Sequence, residues 1–297
     1  MMKRVFVTGA NGFVGTAVCK ELITHGYSVL GLSRSEAGAQ QLIALRAEVL
    51  HGDVKDEAVL KAGIEQTDAV IHTAFNHDFS TFGQNCQDDY DIIQVMGRLL
   101  GPGDRPLIVT SGAFYSGQEK NLPAGRVVND LAFLPRVASD QSAHVLVSKG
   151  VNAMLVGLPQ VHDTHRFGLI SYLFPIAAEK GVSAYIDDGE NLWSGVHVSD
   201  AAQVYRLVLE QGERGYKYIA VADEDIPFQQ IAKIVAEHLQ LPVKSIPLSQ
   251  AEAHFGWFAH LAQVTLTASG QYTRQHLGWK PSGPRLFEDL ANAQLDG

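Results

Sequence analysis

The chain reads as an α/β protein, a doubly wound parallel sheet carrying a smaller, interleaved C-terminal lobe. Three observations predict this. Strand-like apolar runs alternate with helical patterns through the first 158 residues, a glycine-rich turn follows the first run at once, and the alternation becomes irregular after Leu158. The runs at 5–7, 29–32, 49–50, 69–72, 107–110 and 153–158 predict strands. The spans 12–25, 37–46, 56–64, a stretch through Tyr90, Ile93, Met96 and Leu100, and 140–149 predict the helices between them. Right-handed crossovers then give a parallel sheet covered on both faces.

In the second half, helices are expected at 169–180, 200–211 and 228–239, and strands at 184–186 and 218–221. Asp225-Ile-Pro227 predicts a helix start with a capping carboxylate and a proline in the first turn, and Ser249-x-x-Glu252 reads as a capping box. No repeat or long linker divides the chain. Residues 1–158 are therefore expected to form the sheet region and 159–297 mainly a second lobe, with 184–222 partly returning to the sheet.

Composition narrows the function classes. A length of 297 residues with 46% apolar content supports a sizeable core. A net charge of -9 with dispersed Lys and Arg leaves no basic footprint for nucleic acid. Met1-Met-Lys-Arg4 and Val5–Val7 imitate a signal peptide, but Thr8 to Gly12 interrupts it, and no run approaches the roughly 18 apolar residues of a membrane helix. Cys19 and Cys86 alone make neither a disulfide framework nor a thiolate metal site, which fits a reducing cytoplasm. No His pair has the spacing and context that compel a metal site, although His162 and His165 are close enough to keep one open, and none is assigned.

Gly9-Ala-Asn-Gly12-Phe-Val-Gly15 follows a strand and opens a helix, the context of a dinucleotide phosphate site. Helix N–H groups and the positive dipole end would face the pyrophosphate. Gly9 would make the turn, Gly12 the close approach and Gly15 the tight helix–strand packing. At the end of the second strand an acid would bind the ribose 2′-hydroxyl of NAD, but Ser33 and Arg34 stand there, so the expected cofactor is NADP(H) with Arg34 gripping the 2′-phosphate.

Thr8-Gly-Ala-Asn-Gly-Phe-Val-Gly15, with its G-x-x-G-x-x-G spacing, resembles the opening of the short-chain dehydrogenase/reductase superfamily, in its extended branch of nucleotide-sugar epimerases, dehydratases and related reductases. The resemblance extends to Asp53, to Ile71–Ala74, to the Thr110–Tyr115 turn, to Val196–Asp200 and to His276–Pro281. It implies a Rossmann-type fold and a cofactor site made of Thr8, Gly9, Asn11, Gly12, Phe13, Val14, Gly15, Ser33, Arg34, Asp53, Val54, Thr73, Ala74 and Phe75.

Ser111 is the implied carbonyl-polarising hydroxyl, and a serine at the carboxyl end of a parallel strand also faces the crevice on physical grounds. The family's Tyr-x-x-x-Lys is absent. Arg136 stands in the tyrosine position and Asp140 in that of the lysine, a pattern that allows an i to i+4 ion pair. Arginine keeps its proton at any pH below about 12 and cannot donate as an activated tyrosine does. The expectation is that Arg136 orients the substrate electrostatically while Asp140 fixes the guanidinium. Tyr115, His77 with Asp78, and the 162–165 loop are the candidate replacements for the missing acid, Trp193 a candidate substrate contact, Asp200 an N-cap and His72 a structural residue.

The expected function is an NADPH-dependent oxidoreductase acting on a small carbonyl metabolite, with an epimerase as a close variant and a non-catalytic NADP(H) sensor as the rival. No membrane or nucleic-acid partner is expected. Helices around 92–100 and 145–147 could form a homodimer or simply pack on the sheet.

Overall fold

The computed structural model describes residues 3–114 and 135–294. Strands β1 (Arg4–Thr8), β2 (Ser28–Ser33), β3 (Glu48–His51), β4 (Ala69–His72), β5 (Pro106–Gly112) and β6 (Asn152–Leu158) alternate with helices α1 (Phe13–Thr24), α2 (Glu36–Ala44), α3 (Glu57–Glu65), α4 (Phe82–Leu100) and α5 (Ala138–Ser148). Val5, Phe6 and Val7 are fully buried, as a continuous apolar run requires when both faces of a central strand are covered. Helix α2 is capped by Ser35, whose hydroxyl accepts from the Gly38 N–H, and α3 by Asp56, which accepts from that of Ala58.

Next come β7 (Gln160–His162), α6 (Leu173–Lys180), β8 (Ser183–Ile186), β9 (Leu192–His197), α7 (Val198–Gln211) and β10 (Lys217–Ile219). The chain ends with β11 (Asp223–Pro227), α8 (Phe228–Leu239), β12 (Val243–Ile246), α9 (Ala251–Phe255), α10 (Ala259–Gln263), α11 (Gln271–Leu277) and α12 (Leu286–Ala291). The seven-stranded sheet runs in the order β3-β2-β1-β4-β5-β6-β10, all neighbours parallel, so the winding reverses between β1 and β4. Strand β10 thus closes the sheet beside β6, with Lys217 opposite Leu155.

One core lies under α1 and α7 and joins Val5, Val7, Ile71, Val156 and Tyr205; another, under α3, α4 and α5, joins Phe6, Val70, Ile93, Met96 and Leu146. Ile92, Val95, Leu99 and Val147 are half-buried and pack on that second core. The second lobe has its own core around Trp193, Phe228, Phe255 and Phe258. It holds a three-stranded sheet, β7-β9-β11, and a parallel pair, β8-β12. Among the described residues no helix is long and apolar enough to cross a membrane.

Four local expectations are corrected. Asp225 lies inside β11 with a left-handed φ of 55° and accepts from Thr267, while Pro227 is itself the residue before α8, so the carboxylate caps nothing there. Ser249 sits in a 3-10 turn and α9 begins only at Ala251, without a side-chain cap. His162 belongs to β7 rather than to a loop. Helix α7 is capped by His197, whose ring accepts from the Ser199 N–H, and Asp200 instead holds the N–H groups of Ser282 and Gly283 at 3.0 and 2.8 Å.

Candidate functional site

The glycine turn stands where the winding reverses, the place where an open α/β sheet leaves a crevice at the carboxyl ends of its strands. Gly9 has a φ of 66°, and a Cβ there would lie 2.6 Å from the Ala74 nitrogen. At Gly15 a Cβ would lie 2.0 Å from the Gly9 oxygen, so α1 seats directly on the turn. Gly12 is the N-cap, and a Cβ there would meet only the Gly9 oxygen, at 3.1 Å. The first helical turn therefore has no capping side chain, which leaves its N–H groups available to an anion. Phe13 and Val14 pack half-buried on the core behind, and the exposed Asn11 reaches toward Gly38. Thr73, whose hydroxyl donates to the Thr8 oxygen at 2.7 Å, leads into Ala74 and Phe75 on the opposite side of the turn. These groups fit a pyrophosphate.

At the far end, Arg34 is exposed and lies 3.7 Å from Asp53, while Val54 packs half-buried against the core. Two of the expected cofactor residues turn their side chains inward. Ser33 is buried and its hydroxyl donates to the Ser35 oxygen at 3.0 Å, so Arg34 alone of that pair faces outward. Thr8 is also fully buried, its hydroxyl 2.7 Å from Nδ1 of His72.

That Thr8 contact begins a buried polar chain. His72 Nε2 lies 3.0 Å from Asp89 Oδ1, and because a carboxylate can only accept, the imidazole donates there. The other Asp89 oxygen accepts from Arg136 Nη1 and from the Ser139 hydroxyl, each at 2.6 Å. Arg136 also donates to the Thr110 oxygen and lays its guanidinium 3.8 Å above the Phe75 ring. Burial pushes the Asp89 carboxyl up, but the Arg136 charge, with the His72 and Ser139 hydrogen bonds, outweighs it and holds the group at about 2.

The expected Arg136–Asp140 pair is therefore not formed. Arg136 sits in a 3-10 turn just before α5, and the partner that holds it comes from α4. It joins α4, β5 and the loop after β4, with its side chain only 12% exposed.

Asp140 faces the other way, into a triangle with Ser111 and Lys217. It accepts a short hydrogen bond from the Ser111 hydroxyl and a 2.6 Å one from Lys217 Nζ, which also donates to Ser111 Oγ at 3.3 Å. All three are buried. Burial lowers the Lys217 pKa, Asp140 opposes that shift, and the nearby Arg136 charge adds to it. Ser111 stands one residue from the end of β5.

Lys217, Asp89 and Ser139 were missed by sequence reasoning. Their signals were a lone charge in the apolar run Tyr216–Val221 and an acid on the same helical face as Cys86, Ile93 and Met96. Tyr115 lies outside the described residues. His77 is at the surface, edge-on to Phe75; loss of solvation from the protein around it, then the Arg136 charge, lower its pKa.

His162 is fully buried and bonded to Asp289 at 2.7 Å, while His165 meets the Gln294 oxygen, so the two do not converge. Trp193 is corrected to a core residue, buried with its indole N–H on the Val264 oxygen. Among the described residues no cluster could hold a metal, and both cysteine thiols are pushed up by burial, to about 12 for Cys19 and about 11 for Cys86. Two open hollows of about 470 and 440 Å³ are lined by none of these residues and lie near Arg274 and Arg285, whose charges are already paired with Glu224 and Asp223.

A doubly wound sheet with this turn and strand-end serine defines an epimerase/dehydratase-like oxidoreductase fold, and the NAD dependent epimerase/dehydratase family profile matches residues 5–124. The chain belongs to that family. It is 37% identical to the uncharacterized protein YLL056C of Saccharomyces cerevisiae over 99% of this chain and 100% of that one. To the uncharacterized protein C2A9.02 of Schizosaccharomyces pombe it is 38% identical over 97% and 98%. In fold it is similar to DesIV, a dTDP-glucose 4,6-dehydratase from Streptomyces venezuelae solved with NAD bound, with a TM-score of 0.73, 19% identity and coverage of 98% and 95%.

Proposed function

We propose that the chain is an NADP(H)-dependent oxidoreductase that interconverts a small carbonyl compound and its alcohol. The observation that carries this is the uncapped N-terminus of α1 behind Gly9 and Gly12 at the β1/β4 reversal, with Ser111 two strands away at the end of β5. The glycine turn and the first turn of α1 would hold the pyrophosphate, and Arg34 the 2′-phosphate. When bound, the nicotinamide supplies or accepts a hydride. Ser111 would hold the substrate oxygen through its hydroxyl. The core under α1 and α7 and the one under α3 to α5 fix the strands that present these groups. The NAD-bound dehydratase of like fold supports a nicotinamide dinucleotide, and the exposed Arg34, with no acid at the end of β2, favours the phosphorylated form.

The rival, a cofactor-binding sensor, draws support from the missing Tyr-x-x-x-Lys. Titrating NADPH and NADH against the protein by fluorescence, then following reduced-nicotinamide absorbance with a panel of small aldehydes and ketones, separates the readings. Tighter NADPH binding with turnover is expected. Binding without turnover across the panel points to the sensor, and binding of neither dinucleotide overturns both.

A further inference from the structure

We propose that Lys217 supplies protons to Ser111, so that an ammonium on the sheet's edge strand, acting through the serine hydroxyl, restores the proton handed to the substrate oxygen. The inference rests on the oxidoreductase reading of the crevice. Its basis is geometric: Lys217 Nζ donates to Ser111 Oγ at 3.3 Å and to Asp140 at 2.6 Å, and the Ser111 hydroxyl in turn donates to Asp140. The groups come from three elements, β10, β5 and α5. A lysine, unlike Arg136, can release a proton once its environment disfavours the charge.

In the carbonyl-to-alcohol direction the carbonyl carbon receives hydride from the dinucleotide of the proposed reaction. The substrate oxygen takes the Ser111 proton, the O–H rotating from Asp140 toward the substrate. Ser111 Oγ then takes a proton from Lys217 Nζ, leaving a neutral amine that water reprotonates. One hydride and one proton enter the substrate, and the proton lost by the protein returns from solvent. In the reverse direction the same groups carry the proton outward.

The charged groups facing the amine favour this work. Asp140, on α5, holds the ammonium in place between turnovers, while Arg136, just before α5, and burial by the surrounding sheet both favour its release. Lys217 acts through Ser111 and is thus a positioning and supply residue. The packing is tight: a Cβ on Gly157, the register partner of Ser111, would lie 3.0 Å from Lys217 Cε.

The test combines a cofactor-free readout with a kinetic one. Lysine side-chain NMR of the dinucleotide-free protein, with the Lys217 resonance assigned by its loss in Lys217→Met, should show an amine titrating below the ordinary lysine range. A Lys217 that titrates at or above that range overturns the relay, whatever the cofactor result. Because Lys217→Met leaves Asp140 buried without its cation, the Lys217→Met/Asp140→Asn double variant removes both charges and preserves neutrality.

With p-nitrobenzaldehyde as probe, the wild-type rate should fall on the alkaline side as Lys217 loses its proton, and the double variant should bind NADPH as the wild type does, reduce the aldehyde about 100-fold more slowly and lack that alkaline fall. Lys217→Arg, which keeps the charge but not a releasable proton, should also be slow. Unchanged rate and pH profile in both variants overturn the proposal. Failure of the wild type to bind either dinucleotide instead overturns the oxidoreductase reading, so the two failures are distinguishable.

Discussion

Two buried ion pairs flank the end of β5, and they are built differently. Arg136–Asp89 is closed on itself: its acceptors are occupied by His72, Ser139 and the guanidinium, and the guanidinium is spent on Asp89, Ser139, the Thr110 oxygen and the Phe75 ring. Lys217–Asp140 includes a strand-end serine and a cation that can deprotonate. Arg136, which the resemblance places at the family's tyrosine, pairs with an acid from α4, and Asp140, which it places at the lysine, pairs with a lysine from β10. Arg136 and Asp140, which look coupled along one helix, are held by different partners in space.

The first way to break this contrast is to remove the tie. Asp89→Ala leaves Arg136 buried without its anion and His72 without an acceptor, and should cost about 3–5 kcal/mol in urea denaturation. A cost under about 1 kcal/mol would mean that the pair does not hold α4, β5 and α5 together.

The second variant tests the cofactor end. Gly12→Val adds a branched side chain where only the Gly9 oxygen is near, so the fold should survive while NADPH affinity falls by at least about 100-fold, or roughly 2.7 kcal/mol. A folded variant that binds as the wild type does would give the turn another purpose.

A third prediction follows from Asp89 at about 2. Its pKa lies below the unfolded value of about 3.9, so its contribution is full above that value and is lost as pH falls through it toward about 2. The loss is worth roughly 2–3 kcal/mol and should be absent from the pH-stability curve of Asp89→Asn. Parallel acid limbs in the two proteins would contradict the assignment.

The smallest effect is at the ribose. Arg34→Ala should weaken NADPH by roughly 1–3 kcal/mol and leave NADH nearly unchanged, whereas Ser33→Ala should alter neither, because its hydroxyl is turned inward. Equal wild-type affinity for both dinucleotides would remove the 2′-phosphate site.

The sheet region was legible because its strands are continuous apolar runs and its helices follow within a few residues, as Val5–Val7 and the glycine turn show. The short strands of the second lobe were not: β7 has three residues and β11 carries Asp223, Glu224 and Asp225, so neither presents a period. Ser111 was legible from its place at a strand end. Its partner Lys217 was not, because β10 pairs with β6 across some sixty residues of chain and only the folded sheet brings the amine to α5. The Arg136–Asp140 spacing misled for a related reason. An i to i+4 pair presumes one helix, whereas Arg136 precedes α5 in a tighter turn and a carboxylate from α4 was better placed.

Double-mutant cycles on stability test the crossed pairing most directly, one combining Asp140→Asn with Lys217→Met and the other Asp140→Asn with Arg136→Gln. The account predicts coupling of about 1–3 kcal/mol for Asp140 with Lys217 and a clearly smaller value for Asp140 with Arg136. A larger coupling between Asp140 and Arg136 would restore the helical ion pair and contradict the separation of the two sites.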